Sequence, residues 1–265
     1  MSSTSEVVVS VAGAVGTITL ERAGKRNAVT YDMWVAIEAA CHRLAHDSVV
    51  RVVVLRGEGD HFCAGADITE LLAERPAGVP SFIDVNMAAE NALATLPKPT
   101  IAVVQGDCIG GGAALAIDCD LRLAVHGARF GITPAKLGLV YPPASLERVV
   151  RLIGPAAKRL LFTGDLVDAP EAHRIGLVDE LLAPEEVEAR LSELAHTLIQ
   201  RSLLTQAATK EMVAAVLERG SVPSAMADAW NHEVAASGEL TEGVAAFGER
   251  RAPAFPWRPA TRPGS

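Results

Sequence analysis

The chain opens on two short β-rich runs. Residues 6–21 read EVVVSVAGAVGTITLE, with a small-residue turn at Gly13-Ala14 between the runs, and this pattern predicts a hairpin. Over 30–46 the spacing changes. Met33, Ile37, Ala40, Cys41 and Leu44 recur every three or four residues, which puts them on one face of a helix, and Thr30 is placed to cap it. Residues 49–57 (VVRVVVLRG) are almost continuously apolar and β-branched, which predicts a strand buried on both faces. A glycine-rich loop over 57–67 and a helical stretch over 80–95 lead to Pro97-Lys98-Pro99, where a helix must stop.

The same plan then recurs. TIAVVQG (100–106) reads as a strand, Gly110-Gly111-Gly112 as a tight loop, AALAID (113–118) as the opening of a helix and DLRLAV (120–125) as another strand. Repeated strand–loop–helix passages predict an α/β fold of stacked ββα turns rather than one open sheet. From residue 184 the pattern is helical, over 184–200, 203–219, 223–236 and 240–250. This tail suits subunit contact. The expected division is a core over 1–195 and a helical region over 196–265. The end, APAFPWRPATRPGS, is proline-rich and reads as irregular.

Composition changes the picture only by exclusion. Of 265 residues, 49% are apolar, enough for a sizeable core. The net charge of −8 gives no bulk support for binding nucleic acid or an anionic membrane, though a polyanion could still meet a local basic site. Cys41, Cys63, Cys108 and Cys119 form no Cys-x-x-Cys pair, which suits reduced thiols in the cytosol better than disulfides or zinc. The start lacks the basic, apolar pattern of a signal peptide, and no segment offers the roughly 18 apolar residues of a membrane span. The expectation is a soluble cytoplasmic protein.

The most informative chemistry lies in two loops, Phe62-Cys63-Ala64-Gly65-Ala66-Asp67-Ile68 and Gly106-Asp107-Cys108-Ile109-Gly110-Gly111-Gly112. Small residues let a ligand approach the backbone, and a helix starting after each loop leaves free N–H groups pointing outward. Side by side, two such loops could cradle one developing oxyanion. Ordinary strand-to-helix turns are the plainer reading of each loop alone. Gly57-x-Gly59-x-x-Phe62 lacks the third glycine of a dinucleotide loop, the triple glycine lacks the Lys-Ser/Thr of a phosphate loop, and there is no Gly-x-Ser-x-Gly elbow. His42 and His46, four apart on a helix, lack a third ligand, so no metal site is assigned. Asp118 and Asp120 flank Cys119 near a helix end, where capping is the default and an acid/base role for Asp118 the minority reading.

In this order the loops resemble the enoyl-CoA hydratase/isomerase (crotonase) family. The resemblance runs from Leu20-Glu21-Arg22 and Lys25-Arg26-Asn27-Ala28 through AGADI (64–68), Pro97-Lys98-Pro99, the triple glycine, CDLRLA (119–124), ARFGITPAKLGL (128–139) and LFTGDLVDAPEAHRIGLVDE (161–180) to Phe247-x-x-Arg250-Arg251-x-Pro253-x-Phe255. Ala23 stands where the family has proline. The resemblance implies a crotonase-like spiral of ββα turns with a helical C-terminal region, assembled as a homotrimer or a dimer of trimers. It implies an acyl-CoA thioester as substrate, with coenzyme A part of that substrate and no separate cofactor. The thioester oxygen would be held by the N–H groups of Ala66 and Gly111. The CoA arm would pass Lys25, Arg26, Ala64, Asp67 and Ile68, and Arg250 would reach its phosphates.

One departure bears on mechanism. The family's hydratases resemble one another in a glutamate two residues beyond the triple glycine and another in Phe-Gly-x-Pro-Glu. Here these positions are Ala114 and Pro134. Positioned acid/base groups contribute roughly 10²–10⁴-fold, so what remains is enolate stabilisation without the usual proton transfer. Ile132–Tyr141 is similar to methylmalonyl-CoA decarboxylases of this superfamily in its Thr-Pro-Ala and in Tyr141, although those carry histidine at the position of Ala66. Asp118 and Glu147 are the carboxylates that could replace the missing pair. A hydratase or isomerase, a decarboxylase and a non-catalytic acyl-CoA-binding protein all remain compatible with the sequence.

Overall fold

The computed structural model describes residues 6–259. Its strands are β1 (Val7–Ala12), β2 (Val15–Leu20), β3 (Val52–Gly57), β4 (Thr100–Val104), β5 (Asp107–Ile109), β6 (Leu121–Val125), β7 (Arg129–Gly131), β8 (Val167–Asp168) and β9 (Glu180–Leu182). Its helices are α1 (Tyr31–His46), α2 (Phe82–Ala94), α3 (Gly111–Asp118), α4 (Pro134–Leu137), α5 (Pro143–Ile153), α6 (Ala157–Thr163), α7 (Ala169–Arg174), α8 (Val187–Ile199), α9 (Leu203–Arg219), α10 (Ser224–Ser237) and α11 (Glu239–Glu249).

The hairpin forms as the sequence predicts, with Val7 opposite Leu20 and Ala12 opposite Val15. A six-stranded sheet then runs β1-β2-β3-β4-β6-β9, parallel after the first pair. A smaller sheet runs β5-β7-β8. The chain passes from a strand of the large sheet to a short strand of the small one and then to a helix, as in β4–β5–α3 and β6–β7–α4. This is the expected spiral of ββα turns. Residues 107–109, read from sequence as loop, are β5, and α3 begins at Gly111, inside the triple glycine. A three-residue strand gives too little periodicity to recognise.

The central strands β3, β4 and β6 are buried on both faces, which explains their unbroken apolar runs. Val53, Leu55, Ala102, Val104 and Ala124 join the core that holds the inward face of α1 and α2, while Val52, Val54, Ile101, Val103, Leu123 and Val125 pack with Val187 and Leu191 of α8. Fully burying such a side chain contributes roughly 1.5–3 kcal/mol. Helix α1 starts where Thr30 Oγ1 accepts from the Met33 N–H at 3.3 Å. It ends where the buried Lys98 ammonium donates to Leu44 O at 2.5 Å and Asp47 O at 2.7 Å. Helix α2 carries a capping box between Ser81 and Asp84. No helix among the described residues is long and apolar enough to cross a membrane.

Candidate active site

The site is built on a sharp turn between β2 and α1. Arg26 and Asn27 both adopt left-handed backbone, with φ of 50° and 56°. Asparagine visits that region more readily than most residues. The fully buried Asn27 donates from Nδ2 to Glu58 O at 2.9 Å and His61 O at 2.7 Å, and its Oδ1 accepts from the Arg22 N–H at 2.9 Å. One side chain thus fixes where the chain travels after β3. The Ala64 N–H donates to Arg26 O at 2.9 Å, Val29 N–H to Gly65 O at 2.8 Å and Asp67 N–H to Val29 O at 2.8 Å. In this parallel pairing Val29 bonds to the residues on either side of Ala66. The Ala66 N–H therefore faces away from Val29.

The second loop is tied to the first. The Cys63 N–H donates to Asp107 O at 2.8 Å and Ile109 N–H to Cys63 O at 3.0 Å, so the first loop runs beside β5. Gly111, the first residue of α3, has no place in the helix for its own N–H to donate. Gly65 has φ of +107°, and a Cβ there would fall 2.8 Å from Ile109 O and 3.5 Å from Gly111 N. A Cβ on Gly111 would fall 3.3 Å from Ala66 N and 3.1 Å from the buried Trp34 ring. The backbone nitrogens of Ala66 and Gly111 are therefore neighbours. Neither has a hydrogen-bond acceptor among the described residues.

The other residues singled out from sequence fall into different settings. Lys25 is exposed at the end of a short 3-10 turn. Arg26 is also exposed, but its guanidinium lies 3.1 Å from the fully buried Asp107 carboxylate, which also takes Arg129 at 2.6 Å. Asp67 is engaged with Arg22 at 2.8 Å and with Thr69, contacts that hold its carboxyl below the usual range. Ala64 is half-buried and Ile68 exposed on the same loop. Arg250 ends α11 with φ of 54°, exposed and without an ion pair among the described residues. Tyr141 turns its hydroxyl inward, where it finds no hydrogen-bond partner. Its electrostatic neighbours are Glu90, Asp118, Cys108 and Arg148, and burial pushes its pKa well above the ordinary tyrosine value.

A sequence profile described as enoyl-CoA hydratase/isomerase matches residues 10–258. The chain belongs to the enoyl-CoA hydratase/isomerase family. A Thermus thermophilus relative, named provisionally as an enoyl-CoA hydratase, is 37% identical over 92% of this chain and 98% of its own length. The crotonyl-CoA hydratase of Syntrophomonas wolfei is 32% identical over 88% of this chain and 90% of its own. An enoyl-CoA hydratase/carnithine racemase structure from Magnetospirillum magneticum superposes with a TM-score of 0.89 at 30% identity, covering 96% of both chains.

Within this enoyl-CoA hydratase/isomerase fold, the two positions lacking carboxylates are enclosed. Ala114 is 3% exposed, and Pro134 is buried at the first position of α4. Glu147 does not fill the gap, because it is exposed on α5 and paired with Arg151 at 2.8 Å. Asp120 is likewise committed, accepting from Thr100 N–H at 2.8 Å and Lys210 Nζ at 2.9 Å. Asp118 is different. It is 5% exposed, its Oδ1 lies 3.2 Å from Arg148, and its Oδ2 has no hydrogen-bond partner. Glu90 of α2 is buried nearby, accepting from Ser145 Oγ at 2.5 Å and Asn86 Nδ2 at 2.9 Å. Burial raises the pKa of both carboxyls, and Glu90 raises that of Asp118 further. Glu90, Ser145 and Arg148 were not singled out from sequence. The signal was present, since Glu90 shares the apolar stripe of Phe82, Val85, Ala89 and Leu93, where a charged residue is unexpected. The four cysteines are free and buried, and burial pushes the Cys63 thiol up to about 12, which disfavours its thiolate.

Proposed function

We propose that the protein is an acyl-CoA enzyme that holds a thioester carbonyl oxygen between the N–H groups of Ala66 and Gly111 and works through the thioester enolate, as a lyase or isomerase. The observation that carries this reading is the pair of adjacent, acceptor-free N–H groups. As the α-carbon gains carbanion character, negative charge moves onto the carbonyl oxygen. Two fixed donors stabilise that charge without reorganising, and each is worth roughly 10²–10³ in rate. The partial positive charge at the start of α3 acts in the same direction. The CoA arm runs past Lys25, Arg26 and the loop of Ala64, Asp67 and Ile68. Lys25 and Arg250 bring cationic charge to its phosphates, whereas Asp107 already neutralises Arg26 in part. The names of the relatives favour a 2-enoyl thioester as substrate.

A second reading has its own support. Ala114 and Pro134 cannot transfer protons, and the Tyr141 hydroxyl is buried without a partner. Decarboxylation of a malonyl-type thioester makes the enolate directly: the bond from the α-carbon to the carboxylate breaks, CO₂ leaves and the electron pair moves onto the thioester. That route needs the two N–H donors and a proton for the α-carbon, but no base. The test is mass spectrometry of crotonyl-CoA, longer 2-enoyl-CoAs, malonyl-CoA and methylmalonyl-CoA, before and after incubation with purified protein. Gain of water, or a shifted double bond read from fragmentation, is expected for the first reading, and loss of CO₂ for the second. An unchanged panel with saturable binding would overturn both and leave an acyl-CoA-binding protein.

A further inference from the structure

Three buried polar atoms packed around α3 lack hydrogen-bond partners: Asp118 Oδ2, the Tyr141 hydroxyl and Arg148 Nη1, which has only its ion pairs. Leaving a polar group buried and unpaired costs about 1–3 kcal/mol, so a native structure that keeps three together calls for an explanation. All three belong to one cluster. Asp118 ends α3, Glu90 comes from α2, Ser145 and Arg148 from α5, and Tyr141 from the segment entering α5. Asp118 lies one helical turn beyond Ala114 on the same face of α3, so the cluster sits next to the position that carries no carboxylate.

The hydrogen bonds distinguish the two acids. Glu90 accepts from Ser145 and Asn86, which favours its ionised form. Asp118 has only Arg148 on Oδ1 at 3.2 Å, and Arg148 is also 3.8 Å from Glu90. One guanidinium thus faces two enclosed carboxyls. The arrangement is neutral when Glu90 is ionised and Asp118 keeps a proton, which then resides on the free Oδ2. A buried acid kept neutral can donate, and the Tyr141 hydroxyl, which is not directly hydrogen-bonded to it, can both accept and donate through one water.

We propose that Asp118 is the proton reserve of this site, supplying the α-carbon of the bound thioester enolate through the Tyr141 hydroxyl. This rests on the enolate reading above. In the step, the enolate electron pair forms the new C–H bond as the Tyr141 O–H bond breaks, and the thioester carbonyl re-forms. The Asp118 O–H bond then breaks as the tyrosine O–H is restored through one bridging water, which takes the Asp118 proton and gives one of its own to the phenolate. Asp118 is left as a carboxylate opposite Arg148, and a solvent proton returns to it after product leaves. Tyr141 meets the substrate, whereas Asp118 acts through it as a positioning residue. The groups facing Asp118 are Glu90 from α2, Arg148 from α5, Lys210 from α9, Cys41 from α1 and Tyr141. Burial and Glu90 raise its pKa, and Arg148 and Lys210 oppose them.

The experiment measures turnover of the acyl-CoA panel and α-deuterium incorporation in heavy water across pH. Wild type is compared with Asp118→Asn, Tyr141→Phe and Glu90→Gln. Asp118→Asn and Tyr141→Phe are expected to lower kcat by roughly 10²–10⁴-fold with KM little changed. Wild-type activity should fall as pH rises through the Asp118 pKa. Glu90→Gln removes a like charge, lowers that pKa and should move the alkaline limb to lower pH. Wild-type turnover in Asp118→Asn, or an unmoved limb in Glu90→Gln, would overturn the relay while leaving the enolate reading intact. If Asp118→Asn does not fold, the Glu90→Gln profile decides alone. If wild type transforms no thioester of the panel, the enolate reading fails and the relay fails with it.

Discussion

Asn27 shows how much of the site rests on one buried side chain. It replaces three missing backbone partners, at Arg22, Glu58 and His61, and does so from a left-handed conformation. Asn27→Ala would leave those groups unpaired and place alanine in a region it disfavours. The expected cost is about 2 kcal/mol or more, read as a lower urea midpoint at unchanged slope. An unchanged midpoint would show that water or a shifted chain takes over its role. At this scale the sequence was informative about glycines and about absences. The loops around Gly65 and Gly111 stood out because small residues cluster there, and Ala114 and Pro134 stood out against the family pattern. The Asp118 cluster was less legible, because its character depends on burial. From sequence Asp118 could be named as a replacement acid, but not set apart from Glu147. That its Oδ2 is enclosed with Tyr141 follows from the packing of α2 and α5 on α3, which no local pattern states.

Elements with long periodic faces were legible and short ones were not. The hairpin, α1 and α9 fall where their patterns predict, because many residues vote for each. Strand β5 has three residues, α4 has four and α7 has six, too few to show a period. The short strand shapes the candidate site nonetheless, since β5 aligns the second loop with the first. Pro97-Lys98-Pro99 was read as a helix stop and a family segment, yet Lys98 turns back to cap the C-terminal carbonyls of α1, where a cation is also favoured by the helix dipole. Lys98→Met keeps the length of the stem and removes the donors. It is expected to lower unfolding free energy by about 1–3 kcal/mol, measured by urea denaturation. A neutral result would mean that the carbonyls of Leu44 and Asp47 are satisfied by solvent.

At the scale of the whole molecule, the spiral delivers two loops from parallel neighbours, β3 and β4, to one place. The ends of β3 and β4 lie side by side because the strands pair, with Val53 opposite Thr100 and Arg56 opposite Val103. The shared exit brings Ala66 beside Gly111, and α1 supplies Trp34 beneath them. Helix α11, expected from sequence to serve subunit contact, leaves Leu240, Val244 and Phe247 exposed along with Arg250.

The central claim is that two backbone donors hold the developing charge, and Gly111→Pro tests it most directly. Proline is tolerated at the first position of a helix and removes one N–H. Gly111→Ala serves as the comparison, because it adds a Cβ against Ala66 and Trp34 but keeps the donor. The account predicts that Gly111→Pro loses a further 10²–10³-fold or so in thioester turnover beyond Gly111→Ala, with the fold retained by circular dichroism. Equal turnover in the two variants would contradict it, since the N–H would then carry none of the charge.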